Sequence, residues 1–170
     1  MHFQLDYNED GTFTAESLEK LRVVVEQVME GSTTLMDAMG LRTDQFEALY
    51  AVAYNTYMAG KYEDAAKLFG VLVAIQPFES RIFMGLGASF QMLQNYENAA
   101  LFYQWACGID QRDPAPMLHS AECFLAMKDF PAARSALTHT LKRADGNDAC
   151  AALCSKAEVM LSNLEQQEGA

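Results

Sequence analysis

At 170 residues and 51% hydrophobic content, the chain is long enough to bury a sizeable core as one domain, and disorder of the whole is excluded. Lys and Arg number 12 against 23 Asp and Glu, and the resulting formal charge of −11 argues against nucleic acid as a partner and against an anionic membrane surface. Such a balance suits a protein that stays soluble while holding something that does not. In chain order, residues 1–13 (MHFQLDYNEDGTF) carry Asp6, Glu9 and Asp10 where a signal peptide needs a basic start and an apolar run; they read as a flexible acidic leader. From Thr14, a suitable N-cap with Glu16 in the first turn, the residues Leu18, Leu21, Val25 and Val28 mark the apolar stripe of a helix that Gly31 ends. Residues 32–41 (STTLMDAMGL) predict a shorter, Met-rich helical piece closed by Gly40, and residues 14–45 together form an amino-terminal helical segment.

Beyond Asp44 the sequence repeats itself. GKYEDAAKLF (60–69), QNYENAALFY (94–103) and KDFPAARSAL (128–137) align at a constant shift of 34 residues. With repeats at 46–79, 80–113 and 114–147, the fourth positions are Leu49, Phe83 and Met117, and the eighth are Ala53, Gly87 and Ala121. The eleventh are Thr56, Phe90 and Phe124, and the twentieth are all alanine: Ala65, Ala99 and Ala133. Small residues at positions 8 and 20 let two antiparallel helices approach closely, and large apolar ones at 4, 11, 17 and 24 fill the remaining space. This is the tetratricopeptide pattern, so the predicted fold is all-α: three helix-pair repeats between an amino-terminal helical segment and a carboxy-terminal capping helix. Pro77 ends the first repeat; Thr56 stands where an aromatic is usual, and the second repeat has Gln111 in place of the closing proline, with Pro114 and Pro116 following later. Over 148–170, Asp148 caps a last helix with a stripe of Cys150, Leu153, Ala157, Met160 and Leu164, and the tail EQQEGA is expected to fray.

In stacked helix pairs the first helix of each repeat lines the inner face, with outward positions near 5, 9 and 12. These are Tyr50, Tyr54 and Tyr57 in repeat one, Met84, Ala88 and Gln91 (with Met92 beside them) in repeat two, and Leu118, Glu122 and Leu125 in repeat three. Amphipathic tyrosines and adaptable methionines along such a groove suit an extended peptide with apolar anchors. A clamp for an acidic carboxy-terminal tail is disfavoured, because residues 114–127 contain no Lys or Arg and Tyr50 and Tyr54 occupy the first-repeat sites.

The remaining constellations are weaker. His119 with Cys123, and Cys150 with Cys154, share helix faces at i, i+4, but Cys123 falls at an internal repeat position and each pair reads as packing rather than a metal site. FMGLGASF (83–90) looks glycine-rich, yet Gly87 is the small repeat residue and Gly85 lies on the same helix. Phosphate-loop, nucleophile-elbow and zinc-protease motifs are absent and no titratable cluster emerges, so neither enzyme nor cofactor is expected. Four cysteines without a CxxC, and an apolar run (LFGVLVAI, 68–75) far short of a bilayer span, point to a reduced cytosolic protein with no direct membrane insertion.

SRIFMGLGASFQ, YENAALFY and DPAPMLHSAECFLAMKDFPAA together resemble the class II chaperones of bacterial type III secretion systems, and ALYAVAYNTYMAGKYEDAAKLF is similar to that family's first repeat. The likeness covers roughly residues 14–165, and its closest marks are Gly85-Leu86-Gly87, Asp113-Pro114-x-Pro116 and Ala121-Glu122-Cys123. It implies a bacterial cytoplasmic chaperone that uses no ATP and keeps one or both hydrophobic translocators soluble before secretion. The client segment would lie extended in the groove, with Tyr50, Tyr54 and Tyr57 forming pockets and Met84, Leu118 and Glu122 following. The resemblance also implies a homodimer through the amino-terminal helices, with Leu18, Leu21, Val25, Val28, Leu35, Met36 and Met39 at the interface. The alternative it leaves open is a regulatory or scaffold protein that grips a transcription regulator or a secretion-machine component.

Overall fold

The structure is a computed structural model that describes residues 6, 8, 14–31, 33–144 and 148–168. Among these residues the elements are α1 (Ala15–Met29), α2 (Leu35–Ala38), α3 (Thr43–Met58), α4 (Tyr62–Ile75), α5 (Ser80–Met92), α6 (Tyr96–Ile109), α7 (Ala115–Ala126), α8 (Phe130–Ala144) and α9 (Ala151–Glu168), the last preceded by a 3₁₀ turn at Asp148–Cys150. Helices α3 to α8 form the three helix pairs that the 34-residue period predicts. Each helix packs on the next, and α9 packs along α8 and touches α7.

The period is written into the backbone as well as the side chains. Gly60, Gln94 and Lys128, each one repeat apart, all adopt left-handed φ of 76°, 60° and 61° between the two helices of a pair. In each turn the next amide bonds back to the repeat's eleventh carbonyl: Lys61 N–H to Thr56 O at 3.2 Å, Asn95 to Phe90 and Asp129 to Phe124 at 2.9 Å. This is the Schellman arrangement, and it stops three helices at the same place although only the first has a glycine there. Asn95 and Asp129 then cap the following helices by accepting from the amides of Asn98 and Ala132. Thr56, the departure from the aromatic pattern, satisfies its own hydroxyl by donating to Val52 O at 2.7 Å.

The core follows the small-and-large alternation. Ala53, Ala65, Ala99, Ala121 and Ala133 are fully buried, and Phe69, Tyr103 and Leu137 fill the same position in successive repeats. The glycine-rich stretch on α5 is explained by these rings. A Cβ on Gly85 would overlap the Phe69 ring, and one on Gly87 would stand 2.7 Å from the Tyr103 ring. Both glycines therefore serve ring-on-helix packing and not a phosphate loop.

At the amino end Thr14 caps α1 by accepting from the Ser17 amide, and Gly31 and Gly40 turn the chain with φ of 70° and 64°. Of the leader 1–13 only Asp6 and Asn8 are among the described residues; Asp6 exchanges two hydrogen bonds with the buried Ser17, its amide donating at 2.7 Å and its carbonyl accepting at 3.0 Å. At the other end Glu165–Glu168, expected to fray, continue α9, because Leu161 and Leu164 extend its apolar stripe onto the third repeat. Gly169 and Ala170 lie outside the described residues. No helix among the described residues is long and apolar enough to cross a membrane.

Candidate functional site

The first helices of the pairs present two connected regions. On α3 the tyrosines form an aromatic stack: Tyr50 lies 6.4 Å from Tyr54 with the rings nearly parallel, and meets Phe69 edge-on at 5.9 Å. Tyr57, one turn further, tilts against Tyr62 of α4 at 5.4 Å. Tyr54 is 48% exposed, whereas Tyr50 and Tyr57 are half-buried against the first core cluster. Burial pushes both their phenols above the usual range, so the hydroxyls stay protonated at neutral pH. Arg81 of α5 also packs on the stack. Its guanidinium sits 4.6 Å above the Tyr50 ring and is held by Glu47 of α3 at 3.0 and 2.5 Å and by Glu79 at 3.0 Å.

The second region is a pocket of about 350 Å³ at the junction of repeats two and three. Tyr57, Met84, Ala88 and Met92 form its apolar walls, and Gln91, Tyr103, His119 and Glu122 its polar floor. The floor is one network. Tyr103 Oη donates to Gln91 Oε1 at 2.7 Å, Gln91 Nε2 reaches Glu122 Oε2 at 3.4 Å, and His119 Nδ1 pairs with the same oxygen at 3.0 Å. Lys156 of α9 bonds to Glu122 Oε1. Burial pushes the Glu122 carboxyl up, but the hydrogen bonds and charges of His119 and Lys156 outweigh it and hold the group down at about 2. His119 also stacks on the Tyr103 ring at 5.2 Å.

Six of the residues expected in the groove thus line one pocket: Tyr57, Met84, Ala88, Gln91, Met92 and Glu122. Tyr54 and Tyr50 form the stack one and two turns earlier on α3. Leu118 is a correction: it is 2% exposed and belongs to the core cluster that α7 builds with α8 and α9, so it offers no surface to a ligand. Leu125 is half-buried against the same cluster. Reading the sequence missed Tyr103, His119 and Lys156. Tyr103 looked like internal packing, and the available signal was that Phe69 and Leu137, its counterparts, carry no hydroxyl. Lys156 lies one period after Glu122, at position 9 of an incomplete fourth repeat, as Tyr54, Ala88 and Glu122 lie at position 9 of the first three.

Of the seven residues expected at a dimer interface, Leu18 (54%), Val25 (57%) and Met39 (43%) are exposed on α1 and beside α2. Val28, Leu35 and Met36 are half-buried, Met36 against the first core cluster, and the side chain of Leu21 lies outside the described residues. The cysteines are free: Cys107, Cys123 and Cys150 are buried and Cys154 is partly so. Among the described residues no three His, Cys, Asp or Glu side chains gather as a metal would need. A second hollow of about 670 Å³ lies between the α4–α5 turn and α6, lined by Phe78, Leu101, Gln104, Trp105, Gly108 and Ile109. Phe78 is 74% and Trp105 57% exposed, and Trp105 stacks on Phe83 at 6.1 Å.

Comparison with known proteins accords with this geometry. The tetratricopeptide repeat family model matches residues 46–77 and 83–113. The low calcium response locus protein H of Yersinia pestis is 34% identical over 119 residues, which cover 70% of this chain and 71% of that protein. A structure of a T3SS complex from Aeromonas hydrophila superposes with a TM-score of 0.80 at 30% identity, covering 85% of this chain and 97% of that one. The Yersinia enterocolitica type III secretion chaperone SycD, solved in complex with a peptide of the translocator YopD, superposes with a TM-score of 0.72 at 31% identity, covering 75% of this chain and 98% of that one.

Proposed function

The chain belongs to the class II translocator chaperones of type III secretion systems, and on that premise we propose that it holds an extended segment of a hydrophobic translocator along α3, α5 and α7. The observation that carries this reading is the continuous aromatic and methionine surface from Tyr54 through Tyr57 to Met84 and Met92, left open on a chain whose charge of −11 keeps it dispersed. An otherwise disordered client would be anchored by a few apolar side chains, and its ordering cost would keep the complex reversible. We read the protein as a binder without catalysis, acting in the bacterial cytoplasm: Glu122, the strongly perturbed carboxylate among the described residues, is tied to three neighbours.

Co-expression with a hydrophobic translocator tests this directly. The translocator is expected in the soluble fraction with the wild-type chain and in the pellet with Tyr54→Ala/Tyr57→Ala, whose circular dichroism should be unchanged. Equal recovery with both chains refutes the groove assignment. The exposed face of α1 is in turn proposed as a homodimer surface; Val25→Glu with Met29→Glu should shift a dimer to a monomer in sedimentation. A second reading, a regulatory or scaffold role toward a transcription regulator or machine component, draws on the hollow at Phe78 and Trp105. It is preferred if the translocator stays insoluble while a soluble regulator co-purifies and Trp105→Ala releases it.

A further inference from the structure

Glu122 is an unusual group to find on the floor of an apolar pocket. Its side chain is only 20% exposed, it is ionised at neutral pH, and Tyr57, Met84 and Met92 stand around the same space. An unpaired carboxylate there, beside the half-buried ring of Tyr57, would be a receptor for lysine or arginine: the charge attracts the cation, and the ring adds cation–π contact. The pocket is not left in that state. Lys156 reaches Glu122 from α9, outside the three repeats, at the place where the first helix of a fourth repeat would carry its own groove residue. A second ion pair between neighbouring groove helices, Arg81 with Glu47, spans the same 34-residue separation but lies beside the aromatic stack and not in the pocket.

We infer that Lys156 is a specificity-determining residue: by occupying Glu122 it makes the pocket between repeats two and three select an uncharged client side chain over lysine or arginine. The inference rests on the groove reading above and adds to it the chemistry of one subsite. Specificity of this kind is a difference of affinities, set as much by what the site refuses as by what it accepts. His119 and Gln91, the other partners of Glu122, reach its Oε2 from within the repeats, at 3.0 and 3.4 Å. Lys156 is the partner that brings an ammonium group to the carboxylate from outside the repeats.

The test is selection from a displayed library of short random peptides on the purified full chain. Wild type should enrich apolar anchors and deplete Lys and Arg at one anchor position. Lys156→Met should enrich Lys and Arg at that position by roughly tenfold, the effect of one unscreened charge contact in a partly buried site. Glu122→Gln should shift the same position toward Asp and Glu, because Lys156 is then the unpaired group. The double variant Lys156→Met/Glu122→Gln should return to the wild-type preference. Identical residue frequencies in the wild-type and Lys156→Met pools overturn the inference, as does a shift that persists in the double variant. A wild-type chain that enriches no peptide over a bare-matrix control instead defeats the groove reading itself. Lys156 is half-exposed, so its loss should leave the helical signal intact, and the opposite shift in Glu122→Gln gives a readout independent of that variant.

Discussion

Leu49 and Phe83 hold the same position in successive repeats, yet Leu49 is 43% exposed and Phe83 only 5%. Phe83 is covered by Trp105; one period earlier Val71 stands in the place of Trp105, is smaller, and is itself 59% exposed. The contrast extends to the two ends of the chain. At the carboxy end α9 inserts Ala157 (0%) and Leu164 (2%) into the third repeat's core and sends Lys156 back to Glu122, in the register of a fourth repeat. At the amino end α1 packs chiefly on α2, and Leu18, Val25, Met29, Leu49 and Val52 stay exposed. A repeat array must close its last interface to hold its core, whereas an uncovered first interface is surface left for something else.

The contrast is open to direct attack. Its largest expected effect is at the closed end: Leu164→Ala should cost about 2–5 kcal/mol in urea denaturation, the range for emptying a core site. If it costs no more than an exposed substitution, α9 is not a cap. Acid should act at the same end. The folded Glu122 carboxyl at about 2 lies below its ordinary 4.5, so its contribution is complete above 4.5 and is lost as pH falls from 4.5 toward 2. That contribution is on the order of 3 kcal/mol, and Glu122→Gln should flatten the acid limb of a stability–pH profile.

Between the ends, Gly87→Ala should destabilise by about 1–3 kcal/mol through the Tyr103 ring, despite the helix propensity gained. A neutral result in a thermal melt would mean that α5 and α6 can part without penalty. Repeats one and three also differ at their shared left-handed turn, which has Gly60 in one and Lys128 in the other. Lys128→Gly should stabilise by up to about 1 kcal/mol, and Gly60→Ala should cost a similar amount. The smallest effect belongs to the open end: Leu18→Ala should change the stability of the monomer by less than about 0.5 kcal/mol. A larger change in dilute solution would show that α1 is held more firmly than its exposure indicates.

Much of this was legible in the residues alone. Alanines at 65, 99 and 133, small residues at 53, 87 and 121, and Thr14, Gly31 and Gly40 as helix ends determine where helices start, stop and approach, because those are local and periodic properties. A period assigns each side chain to a face of its helix. It does not say what covers that face. Leu118 shares its repeat position with Tyr50 and Met84 and only the packing of α8 and α9 buries it, while Leu49 shares its own with Phe83 and is left in water. The polar floor of the pocket is of the same kind: Tyr103, Gln91, His119, Glu122 and Lys156 come from four helices and meet only once those helices are stacked. Sequence by itself settled the repeating unit and the helices that bear the groove. Tertiary structure decided which groove positions are open, which are core, and that a cation from beyond the repeats neutralises the one carboxylate among them, since burial and charge pairing are sums over neighbours that a single helix does not contain.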